Sequence, residues 1–478
     1  MNEFKIIDIL GKVSSGNGIN LADSLSGIAI YEKKIALLFF SKESGYGDIK
    51  KYENLITESV NKEFANTTIH FDYTNDIKYK NSLSKSFKKN ISQHINSDYQ
   101  LDKWKTDGHK MLWHLDRVKD WQEEKKIAPL HIDMGFVNGC NMACTYCYGV
   151  IQNRAGYGTD AKNVFYTPKE KIINVFKEAK EIGVKSISII GEGENTLHPD
   201  FYEILSYAKK IDLDIALSTN GIKIDNEKMD IFLDSLTWAK VNISAADPKS
   251  FKEIHKVAQF ERVKKNIENL VKLRNKKSYK CTLGIQMVIT KSNHDQIIPL
   301  AKLGAELGVD YCQVKPCTDT YDFKLDSMPG SDYLNLLDIF KEAETYSNEK
   351  YSVSVKWKKI LNGGWKDYKT CFGTEFLINI SGTGNVFPCC HWFDYRKDEF
   401  LMGNIIKTSL KDIVFSNRYA EVQKKIQTDV NVNKDCASNC RQHHMNRFLF
   451  HEGKSSTADL NEKYSEALSE KPNHINFI

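Results

Sequence analysis

Three cysteines fall within the short stretch GCNMACTYCYG, residues 139 to 149, as Cys140, Cys144 and Cys147. Thiolates at this density suit a soft metal or an iron–sulfur cluster. A structural zinc site normally closes on four ligands, and this loop supplies three. Three thiolates on a four-iron cluster would leave one iron open, and an open position is where a substrate or cofactor can coordinate. The plainer alternative is a zinc knuckle completed by a distant His or Cys.

Composition decides what the remaining cysteines can mean. The chain has 478 residues, 41% hydrophobic and 27% charged, with a formal net charge of +5. That is a globular composition, long enough for two or three domains, and too nearly balanced in charge to imply a nucleic-acid partner. The N-terminal MNEFKIIDIL lacks the long apolar core and small-residue cleavage site of a secretory signal. The densest apolar run, IALLFF at 35 to 40, is too short to span a bilayer. A cytoplasmic protein with no membrane partner is expected, and in that compartment 11 cysteines point to metal or catalysis rather than disulfides.

A thiolate loop needs a scaffold, and the residues around it supply one. From about 120 to 320, β-branched runs alternate with stretches of helical period, the pattern of βα units and a parallel sheet. Strands are expected at 131–137, 186–193, 214–221, 238–245, 282–290 and 311–317. Between the first two, Thr167-Pro168-Lys169-Glu170 reads as a capping box, followed by Ile172, Val175, Phe176 and Ala179 at core-facing spacing and a stop at Gly183. Helices are also expected in FYEILSYAKKI, ERVKKNIENLVKLRNK and HDQIIPLAKLGAELG. Parallel sheets of this kind bind ligands beyond the carboxyl ends of their strands. There the first strand runs into the three cysteines, the second into GEGENT, the third into STNG and the fourth into Ser244.

Placed in this way, Cys140-Asn-Met-Ala-Cys144-Thr-Tyr-Cys147 resembles the CxxxCxxC motif of the radical S-adenosylmethionine enzymes, over roughly residues 128 to 320. The resemblance implies an α/β fold with a partial (β/α)6 barrel of TIM type. It implies that Cys140, Cys144 and Cys147 hold a [4Fe-4S] cluster whose fourth iron is chelated by S-adenosylmethionine. It also implies that one electron then releases methionine and a 5'-deoxyadenosyl radical. The family's GGE motif corresponds to Glu192-Gly193-Glu194, with its first glycine replaced and Asn195 where Pro often follows. Gly193 and Glu194 are expected to keep the close backbone approach and the acceptor. Tyr146 stands where the family has the aromatic residue beside the adenine; Ser218, Thr219 and Asn220 offer groups near the ribose and carboxylate, and Ser244 occupies the family's serine after the fourth strand. An Asp common two residues later is Ala246 here, and Asp247 is out of register. A turn role is the ordinary reading of TNG or of a single Ser.

A second constellation follows residue 365: Cys371, then Cys389 within a Gly-rich hairpin, then Cys436 and Cys440. Four cysteines can close a site completely, as an auxiliary [4Fe-4S] relay or a structural zinc. The stretch resembles the twitch or abbreviated SPASM domain, and the missing CxxCxxxxxC run points to one auxiliary cluster. Cys390 adjoins Cys389 and competes with it as ligand, although the Gly-x4-Cys spacing favours Cys389. Cys281, Cys312 and Cys317 read as small buried residues, with Cys317 beside Lys315 the one worth testing. His443-His444 reads as an exposed helix face.

The expected organisation is a small α/β domain over 1–110 with a polar connector at about 76–103, the barrel over 120–325, a helical connector over 326–364, and the Cys-rich extension over 365–478. The N-terminal domain is a structural or oligomerising unit, or binds substrate or a peptide leader. The expected activity is hydrogen abstraction from a small polar, carbohydrate-like or sugar-nucleotide substrate, leading to oxidation, dehydration or epimerisation. An external one-electron reductant such as flavodoxin or ferredoxin would serve it. The alternatives are a maturase of ribosomal peptides and a non-enzymatic metal or redox scaffold.

Overall fold

The computed structural model describes residues 3–13, 21–40, 49–74, 108–150, 152, 164–318, 325–328, 332–333, 335–362, 364–469, 471–472 and 474–478. The polar connector expected at 76–103 lies outside them. The six expected barrel strands are β4 (His131–Met134), β7 (Ser186–Ile189), β8 (Asp214–Thr219), β9 (Trp238–Asn242), β10 (Thr282–Ile289) and β11 (Tyr311–Pro316). They lie side by side in chain order, all parallel, forming a partial barrel. β10 and β11 end one residue before the expected limit and the other four end two to four before it; in β7, β8 and β9 the terminal GEG, NG and SA residues leave the ladder for the rim loops. The helices pack outside: in Lys169–Glu181 the residues Ile172, Val175, Phe176 and Ala179 are buried, as their spacing predicts.

Thr167 does not form the expected capping box. Pro168 occupies the cap position, and Thr167 Oγ1 donates instead to the Gly382 carbonyl at 2.8 Å, tying this helix start to the C-terminal hairpin. The helical connector also departs from expectation. It contains a strand, β12 (Ser352–Val355), parallel to β11 at one end of the sheet. At the other end, β13 (Leu377–Ile380) of the Cys-rich extension lies parallel to β4, with Leu377 opposite His131. β14 (Asn385–Phe387) and β15 (Gly403–Asn404) continue antiparallel, so a single ten-stranded sheet spans barrel and extension.

The N-terminal region forms its own sheet. β1 (Leu25–Tyr31) and β2 (Lys34–Phe40) pair antiparallel around Glu32 and Lys33, and β3 (Thr68–Thr74) runs parallel to β2 after the helix Glu53–Glu63. It packs on later parts of the chain: Phe4 meets Trp357 edge-on at 6.4 Å, Trp365 fills the space over Gly27, and Glu32 pairs with Lys463 at 2.8 Å.

His443 is buried rather than exposed. Its ring nitrogens meet Asn362 and the Tyr368 hydroxyl, both at 3.1 Å, inside the helix His443–Glu452. The last described residues close the amino end of the barrel. Phe477 lies edge-on to His131 and Trp238, each at 5.6 Å, Asn476 Nδ2 donates to Asp214 at 2.7 Å, and Lys110 Nζ donates to the carbonyls of His474 and Phe477. Among the described residues no helix is long and apolar enough to cross a membrane.

Candidate functional site

The three-cysteine loop leaves β4 through Val137–Asn138 (β5), which pairs with Phe165–Tyr166 (β6), and then folds back over the strand ends. The loop is pinned from three sides. Ala143 and Thr145 donate backbone N–H groups to the carbonyls of His255 and Ile254, and Glu194 donates its own to the Gly139 carbonyl at 2.9 Å. A Cβ on Gly193 would overlap the carbonyl oxygens of Val137 and Gly139, so only glycine allows this approach.

Glu194 holds the second and third rim loops together. Its Oε1 accepts from Thr219 Oγ1 and Thr196 Oγ1, both at 2.7 Å, and its Oε2 accepts from the Asn220 N–H at 2.7 Å. The carboxylate expected to serve as a cofactor acceptor is thus engaged within the protein, as a positioning group. Asn220 is placed by that contact so that its Nδ2 donates to Asn141 Oδ1 at 2.7 Å and stands 3.8 Å from the Cys140 sulfur. Ser218 lies on β8 and lines the central cavity.

The fourth loop brings Ser244 to Tyr146. Ser244 sits in the left-handed region at φ 47°, and its Oγ donates to the Tyr146 hydroxyl at 3.1 Å while accepting from the Val288 N–H. Asn293 supports this conformation, donating to the carbonyls of Ser244 and Val288. Burial pushes the Tyr146 phenol up, so it remains protonated. Asp247 instead caps the helix Pro248–His255, accepting from Lys249 and Ser250.

Three contacts had no signal in the sequence. His255 Nε2 meets the Ile243 carbonyl at 2.6 Å, which can only accept, so Nδ1 faces the Cys144 sulfur at 3.0 Å as the unprotonated nitrogen. Burial pushes its pKa down to about 4. Tyr148, next to Cys147, hydrogen-bonds His391 Nδ1 at 2.6 Å, and Gln152 donates to the Cys390 carbonyl at 3.1 Å. These join the first cysteine loop to the second.

Cys371, Cys389, Cys436 and Cys440 border the same 540 Å³ cavity as Cys147 and Tyr146, and so does Cys390. Their thiols are unfavourable as a bare group: burial and the neighbouring Cys440, Cys436 and Cys389 push Cys371 up, and burial takes Cys436 to about 12. Contact with Cys390, then burial, raises Cys389. Burial thus favours the neutral thiols, and a cationic centre such as that of an iron–sulfur cluster would stabilise the thiolates that hold it. Among the described residues no three His, Cys, Asp or Glu side chains converge on one point as a single metal ion needs. A cluster, with its own sulfides, reaches thiolates that stand apart. Thiolates are the donors that a cluster takes, and Cys371, Cys389, Cys436 and Cys440 present four of them to one cavity. Cys281 and Cys312 are buried in the barrel with thiols pushed up to about 12, and Cys317 is buried beside Val288 and Tyr146.

Residues 134–304 match the family model described as the radical SAM superfamily, and residues 371–441 match one described as an iron–sulfur cluster-binding domain, SPASM. These bring a [4Fe-4S] cluster, S-adenosylmethionine and auxiliary iron–sulfur binding. The tungsten-containing aldehyde ferredoxin oxidoreductase cofactor-modifying protein of Pyrococcus furiosus is 23% identical over 297 residues, 59% of this chain and 79% of that protein. A probable GTP 3',8-cyclase of Saccharolobus islandicus is 26% identical over 197 residues, 41% of this chain and 57% of its own length, so this match spans little more than half of that relative. The crystal structure of Streptococcus suis SuiB bound to S-adenosylmethionine superposes with a TM-score of 0.50 at 18% identity, over 70% of this chain and 78% of that one, a likeness of fold.

Proposed function

We propose that this chain, a radical S-adenosylmethionine enzyme with a SPASM-type iron–sulfur domain, abstracts a hydrogen atom from a small polar substrate of carbohydrate or sugar-nucleotide type. In this reading Cys140, Cys144 and Cys147 hold the [4Fe-4S] cluster, and Cys371, Cys389, Cys436 and Cys440 hold one auxiliary cluster. When bound, the first cluster and S-adenosylmethionine supply, for one electron, a 5'-deoxyadenosyl radical that takes hydrogen from a C–H bond. The chain's own residues set the geometry. Gly193 allows the second rim loop to meet the backbone of the cysteine loop, Glu194 fixes the Asn220 amide beside Cys140, and Ser244 holds the hydroxyl of Tyr146, the residue that would meet the adenine.

The observation that carries the reading is the shared cavity: Tyr146, Cys147 and Ser218 border it from one side and the four later cysteines from another. A substrate there lies within reach of both cysteine groups, so an auxiliary cluster can accept or return the electron of an oxidation, dehydration or epimerisation. Relatives named for GTP cyclisation and for cofactor modification lend support to a small-molecule substrate. A flavodoxin- or ferredoxin-type reductant would supply the electron. Anaerobically reconstituted protein is expected to cleave S-adenosylmethionine reductively to 5'-deoxyadenosine, and Cys144→Ala to lose this. Retention of cleavage by that variant would refute the assignment, and absence of cleavage from the parent protein would leave a redox scaffold.

A peptide maturase is the second reading. It rests on the small N-terminal sheet, where β3 stands last in the order β1-β2-β3 and an extended leader could add as a strand.

A further inference from the structure

The inner face of the barrel is polar where a structural barrel would be filled with branched apolar side chains. Strand alternation turns Lys240 and Asn242 of β9, Gln286 of β10, and Gln313 and Lys315 of β11 into the central cavity. Asn242, Gln286 and Gln313 stand opposite one another in register, forming a polar row across three strands. None of the three is used by the assignments made above.

The charge on this face is one-sided. Lys240, Lys315, Lys356, Lys359 and Arg441 line the cavity together with Lys110, whereas Asp133 is its one acidic side chain among the described residues. Asp133 is already engaged, by His131 at 3.0 Å and Arg441 at 3.4 Å. Lys110 is committed to the carbonyls of His474 and Phe477, and Lys359 donates to the Cys440 carbonyl at 3.2 Å. Burial, followed by the charge of Lys315, lowers the pKa of Lys240, and the amines of the two face the same space. Between them Gln286, 4% exposed, has an Oε1 without a hydrogen-bond partner. An acceptor without a hydrogen-bond partner, beside two lysines on the same polar face, is the complement of a ligand with an anionic end and an O–H or N–H group.

We propose that the lumen binds a small molecule carrying a phosphate or diphosphate, with its anionic end on Lys240 and Lys315 and with Gln286 Oε1 accepting a hydrogen bond from its body. The proposal rests on the function assigned above and narrows its substrate class. Two lysines lining one lumen match a compact, multiply charged phosphoryl group better than the single, spread-out carboxylates of an acidic peptide.

The test uses the anaerobic holoenzyme with S-adenosylmethionine bound, titrated calorimetrically with inorganic phosphate, uridine diphosphate, uridine and a glutamate-rich hexapeptide. Saturable binding of phosphate or uridine diphosphate is expected, with none of uridine, weakening as salt rises and falling at least tenfold in the Lys240→Gln/Lys315→Gln variant. If that variant loses its iron, Lys315→Gln and Lys315→Arg replace it, and only the arginine variant should keep binding. No saturable binding of either phosphorylated probe in the millimolar range, or unchanged binding in the glutamine variants, overturns the proposal. So does tighter, lysine-dependent binding of the peptide. Cleavage of S-adenosylmethionine by the parent protein is scored separately. Its absence with phosphate binding intact refutes the assigned function alone, and its presence without phosphate binding refutes this inference alone.

Discussion

Glu194 and Glu192 lie two residues apart and do opposite electrostatic work. Glu194 is surrounded by donors from three residues, and Glu194→Ala would leave the Thr219 hydroxyl and the Asn220 N–H buried without an acceptor. A loss of about 3 kcal/mol in denaturant unfolding is expected, together with weaker S-adenosylmethionine binding as Asn220 loosens. Glu192 accepts from Asn138 and from the Gly382 N–H at 2.9 Å, but burial dominates and raises its carboxyl to about 7. The folded state therefore prefers Glu192 protonated. Its contribution is complete below the ordinary carboxyl range and is lost as pH rises through about 7. Glu192→Gln removes that loss, so the variant should gain on the parent by up to about 3 kcal/mol between roughly pH 5 and pH 8, read from paired melting curves. Gly193→Ala should abolish S-adenosylmethionine binding, measured by equilibrium dialysis, because the added methyl displaces the cysteine loop. The cysteine loop was legible from its spacing, and Tyr146, Asn220 and Ser244 only through the family resemblance, since Asn and Ser at strand ends are ordinary turn residues. The Cys144–His255 contact and the engagement of Glu194 were not, since both depend on how distant loops meet.

At the scale of elements, local period was a good guide and pairing was not. The six barrel strands and their helices could be read from β-branched runs and core-facing spacing. The parallel pairing of β13 with β4 could not, because LINI followed by a Gly-rich turn carries a hairpin signal and says nothing about its outer partner. The polar row of Asn242, Gln286 and Gln313 was likewise hidden: one strand's alternation does not reveal whether its inner side faces a packed core or a cavity. The pairing predicts that amides of residues 377–380 exchange with deuterium as slowly as those of β4, although a boundary between barrel and extension was expected from sequence. Faster exchange, like that of a separately unfolding hairpin, would contradict it. The tail is a second element with a definite task. Phe477→Ala should cost about 3 kcal/mol in denaturant unfolding, since its ring fills the gap between His131 and Trp238 at the barrel's amino end.

For the whole molecule, the arrangement is one connected body rather than a row of modules. The N-terminal sheet leans on Trp357 and Trp365, the helix from His443 is locked through Asp367 to Arg447 at 3.0 Å, and the cysteine-rich hairpin prolongs the barrel sheet. That connectedness has a cost in time. β4 is made early, yet the strand that covers its open edge follows roughly 250 residues later. At ribosomal speeds of about 5–20 residues per second, the edge waits roughly 12–50 s for its partner. During that interval the nascent chain presents an unpaired strand edge immediately before three reactive thiols. The order of synthesis thus makes the emerging chain the form most exposed to aggregation, and slower translation would lengthen its exposure.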